Sequence, residues 1–192
     1  MRSYATLPST YYEVYSIDLQ KNKKVALFIN VLAVLITVVM IIPASFCVSI
    51  LNLFSMESGI TNFLIRMLAL ALLSIAYIIL HELVHGVAMK ICGTKKVKYG
   101  FTGLYAYAGS NDFYSKGAYI FIALAPVVLL GAVLLVVNFF VSVEWFWVIY
   151  FIQIINLSGA SGDYFVTIKF LTLPKDVLIA DYGVGMKVYF NK

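Results

Sequence analysis

Charge is what this chain has least of: Asp, Glu, Lys and Arg make up only 12% of its 192 residues, about half the roughly 25% of an ordinary soluble domain. Hydrophobic residues make up 62% and the mean hydropathy is +0.95. A soluble domain of this length must cover most of its surface with solvated groups, so that class is excluded. Disorder is excluded by the same composition. Cysteine is scarce too, with Cys47 and Cys92 the only two. They fall at opposite ends of apolar runs, where roughly 30 Å of hydrocarbon would part them, so no disulfide can join them. Acidic residues number 9 against 14 basic ones, a balance of +5. In a soluble chain that excess would suggest nucleic acid. Here the cations flank apolar runs, so no nucleic-acid partner is expected and they mark a cytoplasmic side. The N-terminus is expected to be kept rather than cleaved as a signal peptide, because the first apolar run is too long for an h-region. Bulky Phe46 before Cys47 likewise speaks against a lipoprotein site.

What the sequence has in abundance is long apolar runs. Four stretches could each cross a bilayer as a helix of about 20 residues: 25–51, 63–89, 117–143 and 145–171. The third contains Pro126, which neighbouring helices can accommodate, and the fourth opens on the aromatic belt Trp145-Phe146-Trp147. Lys and Arg number four in residues 1–24, five in 90–116 and four in 169–192, against none in 52–62 or 142–144. Both termini are therefore expected in the cytoplasm. Arg66, the exception, is expected to reach the outer interface on its long stem. Residues 9–20 alternate well enough for a strand, with Tyr15, Ile17 and Leu19 on one side, the alternative being a segment laid on the membrane surface through its tyrosines, and 97–112 mixes Gly with Tyr, Phe and Leu in the manner of a short hairpin. The expected fold is thus an all-α polytopic membrane protein with four transmembrane helices and a small cytoplasmic hairpin or loop element, in one membrane-embedded domain over 1–192. Whether the tail from Leu171 to Lys192 packs over the candidate site or hangs free is left open.

The only two histidines stand in His81-Glu82-Leu83-Val84-His85, an HExxH motif on a helix. A spacing of four puts both imidazoles on one face, about 40° apart, where they can grip one metal ion. Glu82 is then placed to take a proton from water at the metal instead of ligating it. Each ionisable group near the middle of a span costs about 2.5–3.5 kcal/mol, so three within five residues call for compensation, which a dication provides. Zn2+ held by two histidines needs a third protein ligand. Of the carboxylates, only Glu82 and Asp163 sit well inside predicted spans. His85 lies five residues before Lys90 and Asp163 six before Lys169, on helices running the same way, so both sit about 7–9 Å from one interface. Asp163 is the expected third ligand and Asp112, from a loop, the fallback. Around Asp163, small residues from Ser158 to Gly162 favour close helix packing and make unwinding cheap. Asn156, seven residues before Asp163, shares its face and is the candidate polar partner for water or a substrate carbonyl.

HELVHG inside an apolar helix, followed two spans later by an Asn-to-Asp run, resembles the site-2 protease class of intramembrane zinc metalloproteases. More closely, the chain resembles a bacterial family of small membrane proteins called putative zincin peptidases, the domain of unknown function 3267 family, from the Tyr15–Leu19 stretch to the tail at Asp181–Tyr189. Site-2 proteases carry an Asn, a Pro and then Asp-Gly; this chain has no Pro there, and Gly162 precedes Asp163. The resemblance implies His81 and His85 as ligands, Glu82 as base, Asp163 as third ligand, peptide-bond hydrolysis and a bacterial plasma membrane. The expected function is a zinc-dependent peptidase acting in or beside the bilayer on a membrane protein or peptide. The alternative is a non-enzymatic metal-binding membrane protein, a sensor or an immunity factor, which would keep the ligands and not need Glu82.

Overall fold

A computed structural model describes residues 3–18, 22–103, 106–183 and 185–192. Five helices are present among them: α1 Lys23–Cys47, α2 Ile60–Ile91, α3 Lys116–Phe140, α4 Val143–Gly159 and α5 Ser161–Leu171, with a 3₁₀ turn over Ile50–Phe54. Among the described residues four helical stretches are long and apolar enough to cross a membrane: Lys23–Cys47, Ile60–Ile91, Lys116–Phe140 and Val143–Leu171. Each overlaps one expected span. On α1, Leu27, Val34, Val39 and Phe46 are exposed by 62% or more, a face suited to hydrocarbon and not to water. The fourth stretch is not one helix. It breaks at Ala160, whose N–H turns back to the Ser158 carbonyl, in the small-residue run where unwinding is cheapest.

The all-α expectation needs correction. Among the described residues seven strands are present: β1 Ser3–Tyr4, β2 Tyr11–Asp18, β3 Lys98–Phe101, β4 Ala106–Gly109, β5 Phe113–Ser115, β6 Val177–Asp181 and β7 Gly185–Asn191. Five form an antiparallel sheet in the order β1-β5-β6-β7-β2, and β3 pairs with β4 in a separate hairpin. The strand expected within 9–20 is β2, with Ile17 buried and a bulge between Glu13 and Tyr15; Leu19 lies outside the described residues. The expected hairpin is β3–β4, whose tip at Leu104 and Tyr105 is likewise outside them. The tail supplies β6 and β7, so it is built into the sheet.

Contacts divide the chain into two compact units. The first comprises Met1–Ile29, Leu80–Pro126 and Gly162–Lys192. Strand alternation sorts its side chains to the two faces of the sheet. Val177, Ile179, Met186, Val188 and Ile17 pack with Ala88, Met89, Tyr119, Ile122, Val166 and Phe170 from α2, α3 and α5 and with Cys92 just past α2, while Leu178, Ala180 and Tyr189 cluster on the other side. Each large aliphatic or aromatic group so buried contributes about 1.5–3 kcal/mol. Tyr114, fully buried, is hydrogen-bonded at 2.6 Å to both Thr94 and Ser110, which ties the end of α2 to β5. The second unit comprises Asn30–Ile79 and Val127–Ser161. Its buried Trp147 donates from Nε1 to the Val48 and Ser49 carbonyls at 3.1 and 2.9 Å. Arg66 reaches the adjoining loop, as its long stem allows, but is buried there, donating to the Ser55 carbonyl.

Candidate metal centre

The C-terminal half of α2 carries the HExxH motif, and the first turn of α5 carries Asp163. Helical spacing aims both imidazoles the same way, and the break at Ala160 starts α5 afresh just before the aspartate. His81 Nε2 and His85 Nε2 lie 3.1 Å apart. His81 Nε2 faces Asp163 Oδ2 at 3.5 Å, and His85 Nε2 faces Oδ1 at 3.6 Å. Zinc held at 2.0–2.1 Å in a tetrahedron sets adjacent ligand atoms about 3.3 Å apart, so the three edges fit that ion. Side-chain exposures of 12%, 11% and 22% for His81, His85 and Asp163 show a recessed cluster that still has an opening. Among the described residues, these three form the group whose donor atoms converge within 4.8 Å of one another. Asp112 stands outside it, its N–H held by Ser110 Oγ at 3.1 Å.

The surroundings of His85 select the tautomer of its neutral ring. Its Nδ1 lies 2.8 Å from the Ile122 carbonyl of α3, which can only accept, so Nδ1 carries the proton and Nε2 presents a lone pair. That lone pair points where a carboxylate also points. Two imidazole nitrogens and a carboxylate so placed are a donor set that a cation would suit.

Glu82 stands one position round the helix from His81, and its carboxylate accepts a hydrogen bond from the Ala108 N–H of β4. The same hairpin meets α2 at Gly86, where an added Cβ would lie 1.9 Å from the Tyr99 hydroxyl; only glycine allows the ring so close. A second tier of support starts at Asp181, at the end of β6. Its carboxylate accepts from Tyr119 OH at 2.6 Å and from the Gly183 N–H at 2.7 Å. Its backbone carbonyl accepts from Ser110 N–H at 2.8 Å. Tyr119 lies one helical turn before Ile122 on α3, and Ser110 follows β4, so the tail braces the elements that hold His85 and Glu82. Desolvation pushes the Asp181 carboxyl above the usual carboxylate range, the Tyr119 and Gly183 hydrogen bonds opposing it.

Asn156 belongs to the second unit and is fully buried. Its Oδ1 accepts from Tyr77 OH at 2.9 Å and its Nδ2 donates to the Val127 carbonyl at 3.2 Å, so both ends of the amide are engaged within that unit. Sequence reasoning missed Ile122, Ala108, Tyr119 and Asp181. For Ala108 no signal was available, since its contact runs through a backbone N–H, and for Asp181 none, since its carboxylate meets Tyr119 from 62 residues away. For Ile122 there was one, the proline four residues later.

The fold has no match among solved structures. The chain is similar to a protein of Pyrococcus woesei described as "Uncharacterized 24.7 kDa protein in gap 5'region", 32% identical over 120 residues, which are 59% of this chain and 51% of that one. It therefore spans about half the length of that relative. A family model described as "Putative zincin peptidase" matches residues 74–178, more than half of the chain and a stretch that contains His81, Glu82, His85 and Asp163. On that match, the chain belongs to the putative zincin peptidase family.

Proposed function

We propose that this protein is a zinc-dependent peptidase that hydrolyses a peptide bond within or beside the membrane, in the manner of site-2 proteases. The observation that carries the reading is the convergence of His81 Nε2, His85 Nε2 and an Asp163 oxygen on one point, with edges of 3.1–3.6 Å and Glu82 beside it. When bound there, zinc supplies Lewis acidity toward water and the scissile carbonyl. His81 and His85 present neutral ring nitrogens, and Asp163 supplies the negative charge that offsets the cation. Glu82, through a carboxylate oxygen, accepts a proton from the attacking water as the O–C bond forms, and returns it to the amine as the C–N bond breaks. Ala108, donating to that carboxylate, holds it in place.

A substrate helix must unwind before its backbone is open to attack. Strand β3 pairs only with β4 among the described residues, which leaves its outer edge to add an extended peptide. Tyr99 and Phe101, 48% and 71% exposed, offer side-chain contacts along it. Water reaches a site in a span only through a cavity, and the site's position about two turns from the lysine-bearing ends of α2 and α5 favours entry from the cytoplasmic side of a plasma membrane. Glu82→Gln is the test: metal content like wild type with hydrolysis of a membrane-peptide library reduced at least about a hundredfold supports a peptidase. Unchanged hydrolysis, or none by wild type either, overturns it.

A further inference from the structure

The His85 imidazole is oriented by a backbone carbonyl in the middle of a helix, where carbonyls are normally taken. In an α-helix the C=O of residue 122 accepts from the N–H of residue 126. Residue 126 is Pro126, inside α3, and proline has no N–H. Its ring also crowds the carbonyl four residues back and tilts it away from the axis. The Ile122 oxygen is therefore left without its helical donor, and it is this oxygen that lies 2.8 Å from His85 Nδ1. Ile122 itself is buried, with 2% exposure, so water does not fill the vacancy. A buried carbonyl lacking a donor is destabilising unless something donates to it, and the imidazole N–H does.

We infer that Pro126 is a positioning residue for the metal centre: by removing one helical hydrogen bond it frees the Ile122 carbonyl to hold His85 with its proton on Nδ1 and its Nε2 lone pair free for a metal. This rests on the metal reading of the site. Restoring an N–H at 126 would give the Ile122 oxygen a competing donor. A carbonyl has two lone pairs, so the imidazole would be loosened rather than released, and the expected loss lies at the low end of the 10–100-fold known for outer partners of metal ligands.

The experiment uses the full-length protein in detergent, with Zn2+ affinity measured by chelator competition and Co2+ as a visible-absorbing probe. Pro126→Ala should bind Zn2+ about tenfold more weakly, with an altered Co2+ spectrum, while its Tm without metal equals or exceeds that of wild type. A merely structural proline would move both in the same direction. Lactic acid at 126, which has the alanine methyl but an ester oxygen in place of N–H, should restore wild-type affinity, separating the missing N–H from the ring. Pro43→Ala, the same change inside α1, should leave affinity unchanged. Wild-type affinity and spectrum in Pro126→Ala, or no rescue by the ester, overturns the inference while leaving the metal reading intact. Wild type that takes up neither ion overturns both.

Discussion

Gly86 is where the hairpin and the HExxH helix meet, and Gly86→Ala sets two computable effects against each other. In a helix interior alanine is favoured over glycine by about 1 kcal/mol. The new methyl would stand 1.9 Å from the Tyr99 hydroxyl, 2.7 Å from Cζ and 3.0 Å from Cε1, where ordinary contact begins at 3.4 Å. Tyr99 must therefore retreat by about 1.5 Å, and overpacking of this kind costs about 1–3 kcal/mol. Because Tyr99 is 48% exposed, the ring can swing outward and the cost falls at the low end. The two terms nearly cancel, so Tm should change by no more than the 2–4 °C that about 1 kcal/mol moves a chain of this size. What does not cancel is the seat of β3–β4 on α2. Amide exchange over 98–109 should quicken, metal content should stay as in wild type, and hydrolysis should fall about tenfold or more, as a displacement of about 1 Å near reacting groups can cause. In Gly86→Ala/Tyr99→Ala the clash is gone and the helix gain remains, so the pair should be more stable than the sum of the two single changes. Exchange read by mass spectrometry decides the matter. A Gly86→Ala protein stabilised by the full propensity gain, with exchange over 98–109 unchanged, would refute the contact.

Three further predictions concern other parts of the chain. Gly131→Ala would bring a methyl to 2.7 Å from Asn156 Nδ2 and disturb the buried bonds to Tyr77 and Val127, each of which costs about 1–3 kcal/mol to break; a double-mutant cycle with Asn156→Ala in thermal unfolding should show coupling above about 1 kcal/mol, and additivity within about 0.5 kcal/mol would contradict it. The Asp181 carboxyl titrates above its ordinary range in the folded chain, so its stabilising share is fully present below its unfolded value near 3.9 and is lost as pH rises through the folded value. Asp181→Asn should lack that decline in a Tm series from acid to neutral pH, and an unchanged profile would remove the carboxyl as its source. Burial pushes the Cys92 thiol up, whereas Cys47 is exposed; maleimide in detergent should modify Cys47 first, and equal rates would place Cys92 wrongly.

Length and hydropathy made legible the four stretches long and apolar enough to cross a membrane, because a run of some 20 apolar residues has few other uses. The local pattern of β2 and the hairpin was legible too, since alternation and glycine placement act over a few residues. The five-stranded sheet was not. Its strands come from 3–4, 11–18, 113–115, 177–181 and 185–191, and nothing in a two- or three-residue segment such as Ser3–Tyr4 or Phe113–Ser115 specifies a partner so far along the chain. The convergence of His81, His85 and Asp163 was readable because helix geometry converts spacing into depth. The support behind it was harder to see. Ala108 N–H and the Ile122 carbonyl are backbone groups that almost any residue would supply, and only Pro126 marked one of them in advance.

Metal analysis of the purified protein bears on everything above. About one zinc per chain in wild type, lost in both His85→Ala and Asp163→Ala but kept in Glu82→Gln, is the expected pattern. Zinc retained by Asp163→Ala, or absent from wild type after purification without chelators, would contradict a metal centre shared between α2 and α5.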